Sequence, residues 1–276
     1  LVVLDGKVYI VRMTALAALL LFVLHGAAPA QAPAQNGQLT VAAASDLTFA
    51  FKEVAERFEK ETGISVNLSF GSSGNFFAQI QNGAPYDLFF SADVRYPQHL
   101  ESAGLTEPGT LHRYARGRIV LWALKDSHLD VNRGLAALTD ASVHKISIAD
   151  PEHAPYGRAA VAALQHDGVY DAVKNKLVLG ENISQAAQFV LSGSADAGVV
   201  ALSLALSPTM KDQGKYFEIP ESSYPAIDQA GVILKSSRNK ETARRFLEFL
   251  DKPETVELMR RYGFALPEPK APDAAP

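Results

Sequence analysis

An α/β fold, with parallel sheets covered by helices, is predicted by three features of this sequence. Short apolar runs of strand length alternate with longer segments of helical period, and that βαβα order implies a parallel sheet with helices on both faces. The changes from strand to helix character fall at turns rich in small residues, serine and glycine. Roughly 240 residues remain once the two ends are set aside, which is enough for two lobes because single cores stop growing near ~250 residues.

The chain opens with the pattern of an export signal. Lys7 and Arg12 precede an apolar run, Ala15 to Leu24, that is too short to span a bilayer comfortably, and Ala28-Pro29-Ala30 is a small-x-small pattern of the kind a signal peptidase cuts. Residues 1–30 are therefore expected to be a cleaved signal peptide, which leaves a periplasmic protein. Translation is expected to start downstream of Leu1, the first methionine being Met13. The segment 31–38, rich in Pro, Ala, Gln and Gly, reads as a disordered linker, and 268–276 as a disordered tail.

Leu39 to Ala44 reads as a buried strand, and Leu47 to Glu61 then sets Leu47, Phe51, Val54, Ala55 and Phe58 at helical spacing. Ile64 to Phe70 reads as strand, Phe76 to Gln81 as helix, Asp87 to Ser91 as strand and Pro97 to Ala103 as helix, with Gly83 and Gly104 as stops. Arg118 to Leu124 is apolar and long enough to pass from one lobe to the other. Ile146 to Ala149 leads through Asp150-Pro151-Glu152-His153-Ala154-Pro155-Tyr156-Gly157 into a helix, Arg158 to Gln165. Leu177 to Leu179 leads through Gly180-Glu181-Asn182 into a helix near Ile183-Ser184. Gly193 to Leu204 and Gly231 to Leu234 supply further strands, the latter returning to the first lobe, and helices Lys240 to Leu250 and Pro253 to Arg261 follow. The expected division is 39–118 with 231–267 as lobe I and 119–230 as lobe II.

Four strand-to-helix turns result, two in each half. Ala42-Ala43-Ala44-Ser45-Asp46 and Phe70-Gly71-Ser72-Ser73-Gly74 are the most distinctive. A helix start leaves backbone N–H groups unpaired and carries roughly half a positive charge, so an anion can be held there without lysine or arginine. Ser45 and Ser73 each add one O–H donor, while Gly71 and Gly74 let the backbone come close to a ligand. Ligands of such sheets bind beyond the carboxyl ends of the strands, where these turns fall.

Composition narrows the function further. A formal net charge of -4 and a pI near 6.0 give no basic stripe, which argues against nucleic acid or anionic membrane as partners. The absence of cysteine removes disulfides, thiolate chemistry and lipoprotein processing. The seven histidines form no H-x-x-x-H pair, so no metal site is expected. Gly71 to Asn75 misses the G-x-S-x-G elbow and no phosphate-binding P-loop exists, which leaves a hydrolase using Ser73 and a histidine as a poor second reading.

The turns above, together with Gly83-Ala84-Pro85-Tyr86-Asp87-Leu88-Phe89-Phe90-Ser91-Ala92-Asp93, Ala149 to Gly157 and Arg261-Tyr262-Gly263-Phe264, resemble the molybdate-binding periplasmic proteins of ABC transporters. The resemblance runs from Leu39 to about Pro267. It implies a two-lobed, hinged periplasmic binding protein of type II, each lobe a mostly parallel sheet flanked by helices. The function it implies is capture of molybdate or tungstate and delivery to a membrane permease, without cofactor or catalysis and as a monomer.

Carried over by position, the resemblance implies hydroxyl and amide donors at Ser45 and Ser73 and backbone donors at Tyr156 and Ile183, whose own side chain is apolar. One branch of the family has a tyrosine after a Gly-Ile-Val run, where this chain has Ala201 after Gly198-Val199-Val200. A second branch relies instead on the neighbour of the first serine, here Asp46. Its amide is expected to face the ligand and its carboxylate to point along the outside of its helix, where an acid is stabilised. Four helix starts sum to roughly two charge units, matching a tetrahedral dianion. An all-donor site prefers an ion fully deprotonated at neutral pH, such as molybdate, tungstate or sulfate, over phosphate, which largely keeps a proton.

Overall fold

The computed structural model describes residues 2–4, 7–9 and 38–265. Strands β1 (Val2–Leu4) and β2 (Lys7–Tyr9) pair antiparallel within a unit separate from the rest. Apart from this hairpin, the segment read as an export signal lies outside the described residues, as do most of the linker and the 268–276 tail.

The first sheet contains β3 (Leu39–Ala44), β4 (Val66–Gly71), β5 (Leu88–Ser91), β6 (His112–Gly117) and, from far along the chain, β12 (Ile227–Ile233). Its order is β4-β3-β5-β12-β6. β3 runs parallel to β4 and β5, and β12 antiparallel to β5 and β6. The second sheet contains β7 (Ile119–Leu124), β8 (Ile146–Ala149), β9 (Leu177–Gly180), β10 (Ala197–Ala201) and β11 (Gly214–Glu218), in the order β11-β7-β10-β8-β9. β8 is parallel to β9 and β10, while β7 is antiparallel to β10 and β11.

Each sheet is therefore mixed. The parallel part is where helical crossovers join neighbouring strands, as the βαβ pattern requires. The antiparallel part arises from β7 and β12, which follow the passages between lobes. Arg118 alone separates β6 from β7. β6 (HRYARG) and β11 (GKYFE) had no apolar run to announce them, because both are edge strands that need bury only one face. The run Gly193 to Leu204 divides into a turn, β10 and the start of α7 (Leu202–Ala205).

The site-bearing helices are α1 (Thr48–Thr62), α2 (Ser73–Gln81), α4 (Pro155–His166) and α6 (Ile183–Leu191); α3 (Arg95–Ser102) and α5 (Tyr170–Val173) lie between them in sequence. α1 forms because Phe51, Val54, Ala55 and Phe58 recur on one buried face, and it ends at Gly63, whose φ of 71° permits the amide to bond Glu59 O. That face packs on α8 (Lys240–Leu250), with Phe58 and Phe246 edge to face at 5.1 Å, and α9 (Pro253–Arg261) follows. Phe51, Phe90, Tyr114 and Phe246 anchor the first core, and Trp122, Ile148, Leu164 and Val200 the second. Burying each of these large side chains contributes ~1.5–3 kcal/mol, which makes the sheets a rigid base for the turns above them. Among the described residues no helix is long and apolar enough to cross a membrane.

Candidate functional site

The register of the sheets puts the four turns together in pairs. Ala44, the last residue of β3, pairs with Gly71, the last of β4, and Ala149 at the end of β8 pairs with Gly180 at the end of β9. Parallel strands ending level with each other start their helices level too. A small cavity of about 10 Å³ lies between the two pairs, lined by Ser45, Asp46, Ser73, Tyr156, Ile183 and small neighbours including Gly71, Ala92 and Ala154. Sites for drug-sized molecules usually span ~300–1,000 Å³ and a cavity of ~10–15 Å³ holds about one water, so this one has room for a very small occupant and not for a sugar or peptide.

All five residues singled out in the sequence thus line one cavity. At the first turn Ser45, Asp46 and Leu47 form a 3-10 turn that runs directly into α1, so the orphan amides begin at Ser45. At the second, Ser72 is the N-cap, its Oγ accepting from Asn75 N at 3.3 Å, and Ser73 is the first helical residue. Ser73 Oγ accepts the Ala92 amide at 3.0 Å, and Ser45 Oγ accepts the Ser184 amide at 3.3 Å. Each hydroxyl thus uses a lone pair on the backbone and keeps its proton to donate elsewhere.

α4 begins with Pro155 after Ala154, a residue with no capping side chain, so the Tyr156 amide has no acceptor in its own helix. α6 is capped by Asn182, whose Oδ1 accepts from Ser184 and Gln185 and leaves the Ile183 amide over. Gly157 permits the approach of α4 to β8, since a Cβ there would lie 2.1 Å from Ala149 O. No lysine, arginine or histidine lines the cavity. The donors it can offer are backbone amides at helix starts and hydroxyl protons.

Asp46 departs from expectation. Its carboxylate does not run along the outside of a helix; it is buried, with Oδ2 accepting from the Tyr156 hydroxyl at 2.8 Å and from Gln229 Nε2 at 2.6 Å. The reason is local: Asp46 sits in the middle of a 3-10 turn rather than on an exposed first α-turn, and Tyr156 and Gln229 receive it. Burial pushes its carboxyl up to about 6, opposed by the donors Gln229, Tyr156 and its own amide. Its Oδ1 is buried without a partner. Tyr156 is consequently more than a packing aromatic, because its phenol joins the second lobe to a carboxylate of the first.

Residues the sequence reading missed complete this network. Tyr114 donates to Gln229 Oε1 at 2.7 Å, which turns the Gln229 amide group toward Asp46, and Ser203 donates to Asp46 O at 2.8 Å. A glutamine inside the apolar strand Ile227–Ile233, wholly buried, was the available signal. Further contacts cross the cleft: Gly74 N donates to His153 O at 2.9 Å, Ser184 Oγ to Ser45 O at 2.8 Å and Arg158 to Asp93 Oδ2 at 2.9 Å. Ser73 has no histidine partner, and among the described residues no group of His, Asp and Glu could hold a metal ion.

Two lobes with helix termini converging on a shared cavity define a solute-binding protein of the two-lobed type II class. The chain belongs to the family of bacterial extracellular solute-binding proteins, whose profile matches residues 39–265. It is 39% identical over 246 residues to the molybdate-binding protein ModA of Azotobacter vinelandii, covering 89% of this chain and 97% of that protein. Its identity to the molybdate-binding protein ModA of Rhodobacter capsulatus is 38%, over 84% of this chain and 90% of that protein. The solved periplasmic molybdate-binding protein of Azotobacter vinelandii superimposes with a TM-score of 0.79 at 35% identity, covering 83% of this chain and all of that one.

Proposed function

We propose that this chain is the periplasmic receptor of an ABC transporter, capturing molybdate or tungstate in the cleft and handing it to a membrane permease. The observation that carries this reading is the convergence of four helix starts, two from each lobe, on one small cavity with no basic side chain. Ser45 and Ser73 donate their hydroxyl protons, and the amides of Tyr156 and Ile183 close the ion from the other lobe. Every contact is to an oxygen of the ion. Kinship with molybdate-binding proteins over most of the chain supports the choice of ion.

Binding then needs no catalysis. Donors split between lobes favour closure around the ion, and the transporter gains a compact closed form to recognise. The protein acts as an exported monomer, with the first sheet forming one jaw and the second the other; β12 belongs to the first from Ile227 onward, so the return to that jaw comes before the expected Gly231. Sulfate presents the same four acceptor oxygens, so cavity radius and the reach of the hydroxyls discriminate against it. Asp46 is the one observation that favours phosphate, since an ionised carboxylate accepts the proton phosphate retains. Thermal unfolding with added molybdate, tungstate, sulfate and phosphate tests the reading: molybdate and tungstate should raise the midpoint most, by mass action on the folded state. Ester turnover that is lost in Ser73→Ala, with no shift by any oxyanion, would contradict it.

A further inference from the structure

Among the described residues, the one charged residue lining the cavity is an acid, and an acid in an anion site needs a physical account. We propose that Asp46 meets the oxyanion as a carboxylic acid: Oδ1 takes one proton from solvent and donates it to an oxygen of the ion, so each ion bound takes up one proton. This deepens the oxyanion reading above and rests on it.

The hydrogen-bond network fixes where that proton goes. Oδ2 accepts from Tyr156 and Gln229, and Gln229 is held in that orientation because its Oε1 accepts from Tyr114. Oδ2 therefore stays an acceptor in either protonation state. Oδ1 is buried and unpartnered, a costly state for an ionised carboxylate. A proton there converts the orphan acceptor into a donor, which is what an ion rich in acceptors and poor in protons can use.

Among the described residues, the elements packed against its turn bring no charge to compensate Asp46. β4, α6 and α7, which pack against its turn, contain no Asp, Glu, Lys, Arg or His. In α1 the first charged residue is Lys52, which is exposed. α4 presents Tyr156, and β6 presents Tyr114 through Gln229; burial and the charge of Asp46 push both phenols well above 10, so neither titrates in the neutral range. Arg158 of α4 is paired with Asp93, and Asp228 of β12 with Arg116. Burial already pushes the Asp46 carboxyl up to about 6, and a neighbouring dianion pushes it further.

The sign follows from linkage. Below about pH 6 the acid is protonated before the ion arrives, and binding takes up little. Above it the free protein is ionised and the complex is not, so affinity falls about tenfold for each pH unit until the pH passes the value the carboxyl has in the complex. Protonated Asp46 also offers no acceptor to the hydroxyl of phosphate, which turns an apparent phosphate preference into discrimination against it.

The test is calorimetric titration of the mature protein with sodium molybdate in buffers of differing ionisation enthalpy, repeated from about pH 5.5 to about 8.5. We expect uptake near one proton per ion at the alkaline end and the tenfold slope. Asp46→Asn should take up none and show a flat profile, because its Nδ2 is a permanent donor while its Oδ1 still accepts from Tyr156 and Gln229. The wild-type profile stands by itself if that variant does not fold. Molybdate binding without proton uptake, the same uptake in the asparagine variant, or phosphate binding that the variant abolishes would each overturn the inference. Failure of every oxyanion to bind at any pH would overturn the oxyanion reading along with it.

Discussion

Gly74 and His153 meet backbone to backbone across the cleft: the Gly74 amide donates to the His153 carbonyl at 2.9 Å, and a Cβ on Gly74 would lie 2.6 Å from that same oxygen. Gly74 opens α2 beyond the first sheet, and His153 lies in the turn beyond the second. Closure at this point is possible only for glycine.

Gly74→Ala should therefore act as a wedge between the lobes while leaving both cores intact. Molybdate affinity is expected to fall at least tenfold, about 1.4 kcal/mol, with little change in the unfolding midpoint of the ligand-free protein. Small-angle scattering should register compaction of the parent protein on adding molybdate, and less in the variant. Unchanged dimensions in the parent would remove closure from the account.

Tyr156→Phe keeps the ring and deletes the phenol that bonds Asp46. Oδ2 then has Gln229 alone, and the ionised form of Asp46 loses a hydrogen bond of the charged kind, worth about 1.5–3 kcal/mol. With one lowering contribution gone, the Asp46 carboxyl rises further and the fall of affinity with pH begins at a higher pH. A variant with the parent's pH profile would disconnect the phenol from Asp46 function.

Ser45→Ala and Ser73→Ala each remove a hydroxyl that lines the cavity. Each is expected to weaken oxyanion binding by about 1.5–3 kcal/mol, while fold stability changes less, since the Ser184 amide keeps Asn182 Oδ1 as acceptor and the Ala92 amide loses one neutral hydrogen bond. Titration of both variants beside the parent checks this, and parent-like affinity in both would take these serines out of the site.

The sequence carried the parts of this structure that repeat and the parts that need small residues. Alternating apolar runs located β3, β4, β5, β8 and β9, and the serine and glycine turns after them located the cavity, because helix starts beyond parallel strands have little choice about where to face. The edge strands β6 and β11 were illegible, since a strand burying one face needs few apolar residues. The direction of the Asp46 side chain was illegible for a different reason. It depends on Gln229 and Tyr156, which are 183 and 110 residues away, and on a 3-10 turn that local propensity does not distinguish from the first turn of α1.

The central claim is that the cleft takes a tetrahedral dianion of molybdate size. Calorimetric titration of the mature protein with molybdate, tungstate, sulfate and phosphate side by side, near neutral pH, tests it most directly. One molybdate or tungstate should bind per chain, with sulfate and phosphate at least about a hundredfold weaker, a gap of about 2.7 kcal/mol. Sulfate or phosphate binding as tightly as molybdate, or no heat from any of the four, would contradict it.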